Sequence, residues 1–413
     1  MVWYESMNIL YINASFWGGG AEKVSRQLYY GLKNERVNTF YLAGRYQKNL
    51  PEDIEVIYRG FFERAISAIL GMVNHNFLFG TILARKKIIS IVKREKIDII
   101  HFHNLRGNYI GPTDLSAIKK FCPNIVITLH DMWLFTGCCP HGMSCNEWEN
   151  EKECRNCHGN EWLEKGTKRG SLYLKCKSDS LSGRNYCFVS PSKWLISCCK
   201  RSYLRRENLQ LIPNGVNIES FQLLDKQIIR NKYNIPQDKR ILLFSAHNVD
   251  SPYKGLAYLL EAIELLSNKE RYYLLIIGHL GDLHFDSKFE ISNLGYISNE
   301  HMMNELYCAA DLFILPSMAD TFPLTALESM ASGTPVLAFN TGGIPESVTE
   351  EVGWCVQAGN SKDLRDEIEN IFIDSQRLIE KTEKCREYIE KYYSENSMLM
   401  KYQQLYTHIL EQH

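Results

Sequence analysis

Two carboxylates eight positions apart, Asp320 and Glu328, stand in the stretch ADTFPLTALESMASGTP, and the residues between them read as the start of a helix. Thr321 is read as its cap, Pro323 as a first-turn residue whose missing N–H has no partner there anyway, and Gly333 as its stop. The amides at Leu324 and Thr325, next to Phe322 and Pro323, then point past the end of the preceding strand. There the helix dipole favours an anion such as a phosphate or pyrophosphate. Asp320 and Glu328 border that anion site without filling it, which suits them to accept hydrogen bonds from sugar hydroxyls.

Lys254 precedes a glycine at another helix start, in HNVDSPYKGLAYLLEAIELL. An ammonium there can neutralise a diphosphate as it becomes a leaving group. A surface lysine in a turn is the other reading. His130 follows the apolar run IVITL, just past a strand's carboxyl end, where parallel α/β sheets place ligand-binding groups. Its imidazole can donate and accept. Asp131 either orients it or caps the loop, and His101 and His103 are read as structural or wall residues. Gly18, Gly19 and Gly20 follow the first strand, NILYIN, and let a backbone approach a ligand closely. A tight strand-to-helix turn also calls for glycine, and both readings stand. The run is not G-x-G-x-x-G, which disfavours a nicotinamide-dependent dehydrogenase.

Cys138, Cys145, Cys154 and Cys157 lie within about twenty residues, with Cys139, His141 and His158 as substitutes. Four soft ligands at such spacing can close a tetrahedral structural zinc site. Nine of the 13 cysteines fall between Cys138 and Cys199. That clustering fits reduced thiols around a local metal better than a disulfide framework.

These groups need rigid carriers. DLFILP, TFPLTALESMAS and VLAF form a β-α-β unit, and parallel strands joined by helices demand a sheet covered on both faces. Further strands are expected at Asn8–Asn13, Ile97–His103, Ile125–Leu129, Tyr186–Ser192, Arg240–Ala246, Leu274–Gly278 and Asn293–Tyr296. Helices are expected over Phe61–Lys96, His301–Ala310 and Lys362–Lys391, with another closing the chain. Tyr186–Ser192 is read as the last main strand of the first domain. Pro213 and Gly215 in LIPNGVN make a defined turn suited to a domain crossing. A length of 413 residues accommodates two domains of ordinary size.

A net charge of −1 gives no general attraction to nucleic acid. No run of about 18 uncharged apolar residues occurs, which argues against a spanning helix. MVWYESMNILYIN lacks a basic leader with a cleavage site, so a cytoplasmic location is expected. Arg85, Lys86, Lys93 and Arg94, and Lys200, Arg201, Arg205 and Arg206, are solvated faces or a peripheral contact with membrane or an anionic acceptor.

The acid pair, the strand-GGAE-helix order, the LIPNGV crossing and the LHDMWLFTGC loop together resemble the large family 4 of retaining glycosyltransferases. The resemblance covers nearly the whole chain and is strongest over Ile241–Glu346. It implies the α/β GT-B fold, two Rossmann-like domains facing a cleft. The first would span residues 1–210, the second 211–394, and the final helix, 395–413, would return to the first. It implies a UDP- or GDP-sugar donor, a glycan or lipid-linked acceptor in polysaccharide or lipopolysaccharide assembly, retention, and no required divalent ion. Asp320, where relatives carry Glu, and His130 would hold the sugar, and Glu328 the ribose. Gly19, Gly20, Phe322, Pro323, Leu324 and Thr325 would line the phosphates. Asn248 stands near the place of a family arginine, which leaves Lys254 the larger share of the diphosphate charge. Relatives of the polysaccharide-building kind carry similar spaced cysteines. Two other functions fit the same scaffold: a nucleotide-sugar epimerase or hydrolase, and a non-catalytic sugar-binding protein.

Overall fold

The computed structural model describes residues 7–33, 36–58, 60, 62–63, 65, 82–107, 109–143, 145–149, 154, 159–160, 164–165, 170–279 and 289–412. The chain divides into two units, Met1–Pro213 with Leu399–His413, and Asn214–Met398.

The first unit is built on strands β1 (Met7–Asn13), β2 (Val37–Arg45), β3 (Ile54–Tyr58), β4 (Ile99–Phe102) and β5 (Asn124–Thr128). A two-residue hairpin follows, β6 (Gly159–Asn160) with β7 (Glu164–Lys165), then β8 (Cys187–Ser190) and β9 (Asn208–Leu211). Apart from the hairpin they form one sheet in the order β3-β2-β1-β4-β5-β8-β9, every pair parallel. β4, β5 and β8 are buried along their whole length, as strands covered on both faces must be. The order turns back at β1 and β4, and the carboxyl ends of that pair, with β5 alongside, make the crevice where such sheets bind ligands.

The strands at Asn8–Asn13, Ile97–His103 and Ile125–Leu129 are observed within a residue or two of their expected ends. Tyr186–Ser192 shortens to β8, and β9 lies beyond it as the last strand. β9 was hidden because its four residues, NLQL, sit at a sheet edge with none of them buried, so no apolar run announces it. β2 and β3 carried no expectation. Of the helix expected over Phe61–Lys96, the stretch Ile82–Arg94 is observed and much of the remainder lies outside the described residues.

The second unit holds β10 (Arg240–Asn248), β11 (Tyr272–His279), β12 (Ile291–Asn293), β13 (Leu312–Leu315), β14 (Val336–Asn340) and β15 (Gly353–Gln357). They pair in parallel in the order β12-β11-β10-β13-β14-β15, with the turning point between β10 and β13. The core of this unit includes Leu242, Phe244, Leu274, Ile276, Leu312, Ile314, Leu337 and Phe339, from four adjacent strands. Truncating one such side chain to alanine costs about 2–5 kcal/mol. The charged region expected as one helix is two, Ser361–Ile373 and Ser375–Tyr392. Asp374 separates them because its carboxylate accepts from the Arg377 amide at 3.2 Å and caps the second.

The last helix, Glu395–Glu411, delivers Tyr402 and Tyr406, both buried, to the first unit. The Tyr402 hydroxyl lies 2.8 Å from Thr128 Oγ1 and the Tyr406 hydroxyl 2.7 Å from His101 Nδ1. Gly31 makes room for this helix, since a Cβ there would stand 2.5 Å from Leu399 Cδ1.

Candidate active site

In the second unit the loop after β13, Pro316–Pro323, is pinned from both sides. Met318 donates its amide to the Tyr253 carbonyl at 2.7 Å, and Gly343 donates to the Asp320 carbonyl at 3.0 Å. Gly255, at φ +73°, has its missing Cβ position 1.8 Å from the Pro316 carbonyl oxygen. Gly342, at φ +59°, has its own 2.0 Å from the Asp320 carbonyl oxygen. Only glycine serves at either place, on backbone and on space. The loops after β10, β13 and β14 are thereby locked together at one end of the sheet. Lys254 Nζ and Asp320 Oδ2 meet there at 3.0 Å, with side chains 36% and 17% exposed.

The helix that follows spans Leu324–Ala331, with Pro323 at the cap position and no side-chain capping bond. Thr321 does not cap it, because the helix starts three residues beyond it. Gly333, at φ +80°, ends it as expected. Phe322 and Leu324 are buried, and the Phe322 ring packs edge-on against Tyr393 at 5.3 Å. What these positions offer a ligand is therefore main chain. Glu328 is buried in the second turn, where its Oε2 accepts from the buried Tyr307 hydroxyl at 3.3 Å. Burial and then this carboxylate hold the Tyr307 phenol well above its ordinary range. Asn248 is exposed at the end of β10, beyond a shift in register with β11.

Sequence reasoning missed an aromatic cluster at the same sheet end. His279 and Tyr296 stack at 4.6 Å and 9°, and His247 stands edge-on to them at 5.3 and 5.0 Å. No spacing rule links the ends of three strands, so the cluster left no signal.

In the first unit, Gly19 caps the helix Gly20–Gly31 without a side-chain bond. Positive φ occurs at neither Gly18, Gly19 nor Gly20, so a left-handed backbone is not why glycine stands there. His130, past the end of β5, lies with Nε2 3.0 Å from His103 Nδ1, the two rings 22° apart. The His103 ring lies in turn 4.2 Å from that of His101, tilted by 34°. Both nitrogens of His101 are engaged, Nδ1 by Tyr406 and Nε2 by Thr128 Oγ1 at 2.8 Å. Burial pulls the His130 imidazole down to about 4 and holds His101 and His103 well below the ordinary range, so all three are neutral at pH 7.

Asp131 shapes the turn, accepting from the Trp133 amide at 2.8 Å. Burial raises its carboxyl above the usual range. The loop beyond it rests on Lys177, which no motif singles out. Its buried ammonium donates to the carbonyls of Trp133, Thr136 and Gly137 at 2.6, 3.1 and 3.2 Å and stands 3.7 Å from the Trp133 ring centroid. Burial pulls it down to about 7.

Cys138 and Cys154 are buried and Cys145 is exposed, while Cys157 and His158 lie outside the described residues. Among the described residues no group of three or more His, Cys, Asp or Glu is placed to hold a metal ion. The expected zinc set is thus only partly among the described residues, and no step is derived through the ion. Three of the named basic residues meet acids of the same unit, Arg85 meeting Asp114, Arg94 meeting Glu55 and Arg201 meeting Glu149. No described helix is long and apolar enough to cross a membrane.

Residues 18–220 match the family model described as Glycosyltransferase Family 4, and residues 225–392 match Glycosyl transferases group 1. The Escherichia coli UDP-Gal:alpha-D-GlcNAc-diphosphoundecaprenol alpha-1,3-galactosyltransferase is 23% identical over 338 residues, covering 78% of this chain and 77% of its own. Among solved structures, sucrose-phosphate synthase from Thermosynechococcus elongatus matches with a TM-score of 0.75 at 18% identity, over 98% of this chain and 100% of the other. Anabaena Alr3699/HepE in complex with UDP matches with a TM-score of 0.69 at 16% identity, over 97% and 100%. At these identities the structures speak for the fold, and that fold is GT-B.

Proposed function

From a chain that carries glycosyltransferase family 4 and group 1 domains on a GT-B fold, we propose a retaining transferase that moves a hexose-type sugar from a UDP- or GDP-sugar to a glycan or lipid-linked acceptor. The setting is polysaccharide or lipopolysaccharide assembly, on the inner side of the membrane. The E. coli relative, whose name specifies a UDP-linked sugar and a diphosphoundecaprenol acceptor, supports both the donor class and the setting.

The observation that carries the reading is the Lys254–Asp320 pair beside the uncapped start of the helix Leu324–Ala331. In the proposed complex the ammonium leaves the carboxylate for the diphosphate, joined there by the amides of Leu324 and Thr325, and Asp320 turns to the sugar hydroxyls. With Asn248 in the arginine's place, Lys254 is the side-chain cation assigned to the leaving group. Such a group contributes about 3–4 kcal/mol to the transition state. His130 is assigned to the sugar and Glu328, braced by Tyr307, to the ribose. The bond from the anomeric carbon to the phosphate oxygen breaks as the acceptor oxygen bonds that carbon on the same face. The acceptor's proton passes to the departing phosphate, so no protein nucleophile is needed.

A panel of UDP-, GDP- and ADP-sugars tests this by thermal shift. A true donor at a hundredfold excess over its Kd stabilises the fold by about 2.7 kcal/mol. A panel without any shift overturns the donor assignment. Donor consumption that yields free sugar or an epimer, and no glycosylated acceptor, moves the reading to the hydrolase or epimerase class.

A further inference from the structure

Three histidines, His101 and His103 buried and His130 half-buried, meet at the carboxyl ends of β4 and β5, and their hydrogen bonds are unevenly supplied. His101 is bonded at both nitrogens, but to Tyr406 and Thr128, whose hydroxyls can each donate or accept. They hold the ring without choosing its tautomer. His103 is different. Its Nδ1 lies 3.0 Å from His130 Nε2, and its Nε2 is buried with no partner among the described residues.

Between two neutral imidazoles a single proton occupies the short contact, and two arrangements are open. If His130 donates from Nε2, the His103 proton must sit on Nε2, where a buried N–H then has no acceptor. If His103 donates from Nδ1, its Nε2 is a bare lone pair. A buried donor left unpaired is the rarer and costlier defect, and an acceptor with an unused lone pair is the more tolerable one. His101, its ring centre 4.2 Å from that of His103 and tilted 34° to it, and Tyr11, 6.2 Å away, flank the His103 ring.

We propose that His103 is a positioning residue for His130: it donates Nδ1–H to His130 Nε2 and so fixes His130 as the Nδ1–H tautomer. His130 then meets the donor sugar as a hydrogen-bond donor to a hydroxyl oxygen, with Nε2 already committed. This deepens the assignment of His130 to the sugar and rests on it for its functional meaning. The tautomer itself does not depend on that assignment.

The test is a two-bond proton–nitrogen NMR spectrum of the full-length protein labelled with [15N]histidine. His130 is assigned by difference against His130→Gln. The expected pattern is protonated Nδ1 and bare Nε2 for His130, retained in His103→Asn, whose amide N–H takes the place of Nδ1–H. In His103→Leu the pattern changes to the other tautomer or to an average of the two. Protonated Nε2 or an average in the wild type overturns the proposal, and so does an unchanged pattern in His103→Leu. Should the leucine variant fail to fold, the wild-type and asparagine spectra decide. No sugar nucleotide enters this measurement. A failed donor panel with the expected tautomer would therefore sink the function and spare the inference, and the reverse result would do the opposite.

Discussion

Lys254 and Asp320 neutralise each other across 3.0 Å at the turning point of the second sheet, in the place where the donor's diphosphate and sugar are proposed to bind. The two residues lie 66 positions apart, yet three interlocked loops hold them together. In this reading a ligand must separate the pair before it can use either member. A pair at a solvent-accessible site contributes about 0.2–1 kcal/mol, so separating this half-buried one is a modest burden.

Asp320→Asn and Lys254→Ala should therefore move in opposite directions. The asparagine variant releases the ammonium, and calorimetry should show the matching free nucleotide, UDP or GDP, binding up to about fivefold tighter. Turnover with the sugar nucleotide should nevertheless fall. Lys254→Ala should weaken the nucleotide and lower kcat by about a hundredfold to a thousandfold. Unchanged nucleotide affinity in both variants would remove the pair from the phosphate site.

With the leaving group assigned to Lys254 and the helix amides, transfer should persist in EDTA. Initial rates with and without the chelator should agree within about twofold, far less than the several kcal/mol a catalytic metal supplies. A rate abolished by EDTA and restored by magnesium would contradict the assignment.

Gly255→Ala is expected to be severe for a surface loop. The substitution adds a Cβ where the Pro316 carbonyl oxygen stands, at a backbone angle of φ +73° that alanine resists. A loss of at least about 2 kcal/mol in urea unfolding is expected. Gly183→Ala is the control, at φ +65° with nothing within 4 Å, and should lose about 1 kcal/mol.

Acid should destabilise the first unit well before its carboxylates titrate. The folded His130 protonates at about 4 and the unfolded one near 6.5, so as pH falls through that window the unfolded chain takes up protons first. Stability present at pH 7 is lost by pH 5, by at most about 2 kcal/mol from His130 alone, with His101 and His103 adding in the same direction. Urea midpoints at the two pH values measure it. A flat profile would mean that the histidines are not buried neutral.

Lys177→Met keeps much of the side chain's volume and leaves the carbonyls of Trp133, Thr136 and Gly137 without their donor. A loss of about 2–4 kcal/mol is expected in the same unfolding measurement. Lys177→Arg should not rescue it, because a planar fork does not reproduce three bonds converging on one nitrogen.

Most of the second sheet was legible because its strands are apolar runs such as DLFILP and VLAF; the edge strand β12, expected at Asn293–Tyr296, lies at Ile291–Asn293, where none of its three residues is buried. Lys254 and Asp320 were each legible as types, but their pairing was not, since it depends on Gly255 and Gly342 fitting against particular carbonyls. In the first unit β1, β4 and β5 announced themselves, whereas the edge strand β9 did not. His130 was legible from its place after β5. Its neighbour His103 passed for a wall residue, and Tyr402 and Tyr406 for ordinary core anchors, because nothing local in sequence couples residues about 300 positions apart. Lys177 resembled any exposed lysine of a mixed helix until the fold showed it enclosed.

Tyr402 and Tyr406 finish the interior of a unit made of Met1–Pro213 and the closing stretch Leu399–His413. During synthesis that interior stays open while the ribosome makes the whole of the second unit, which is contiguous and has its full complement of residues first. A protein truncated after residue 213 would leave the polar faces of His101 and Thr128 without the hydroxyls that satisfy them. A stop codon ahead of Tyr402 would therefore take these contacts from the unit that holds β1, at the opposite end of the chain.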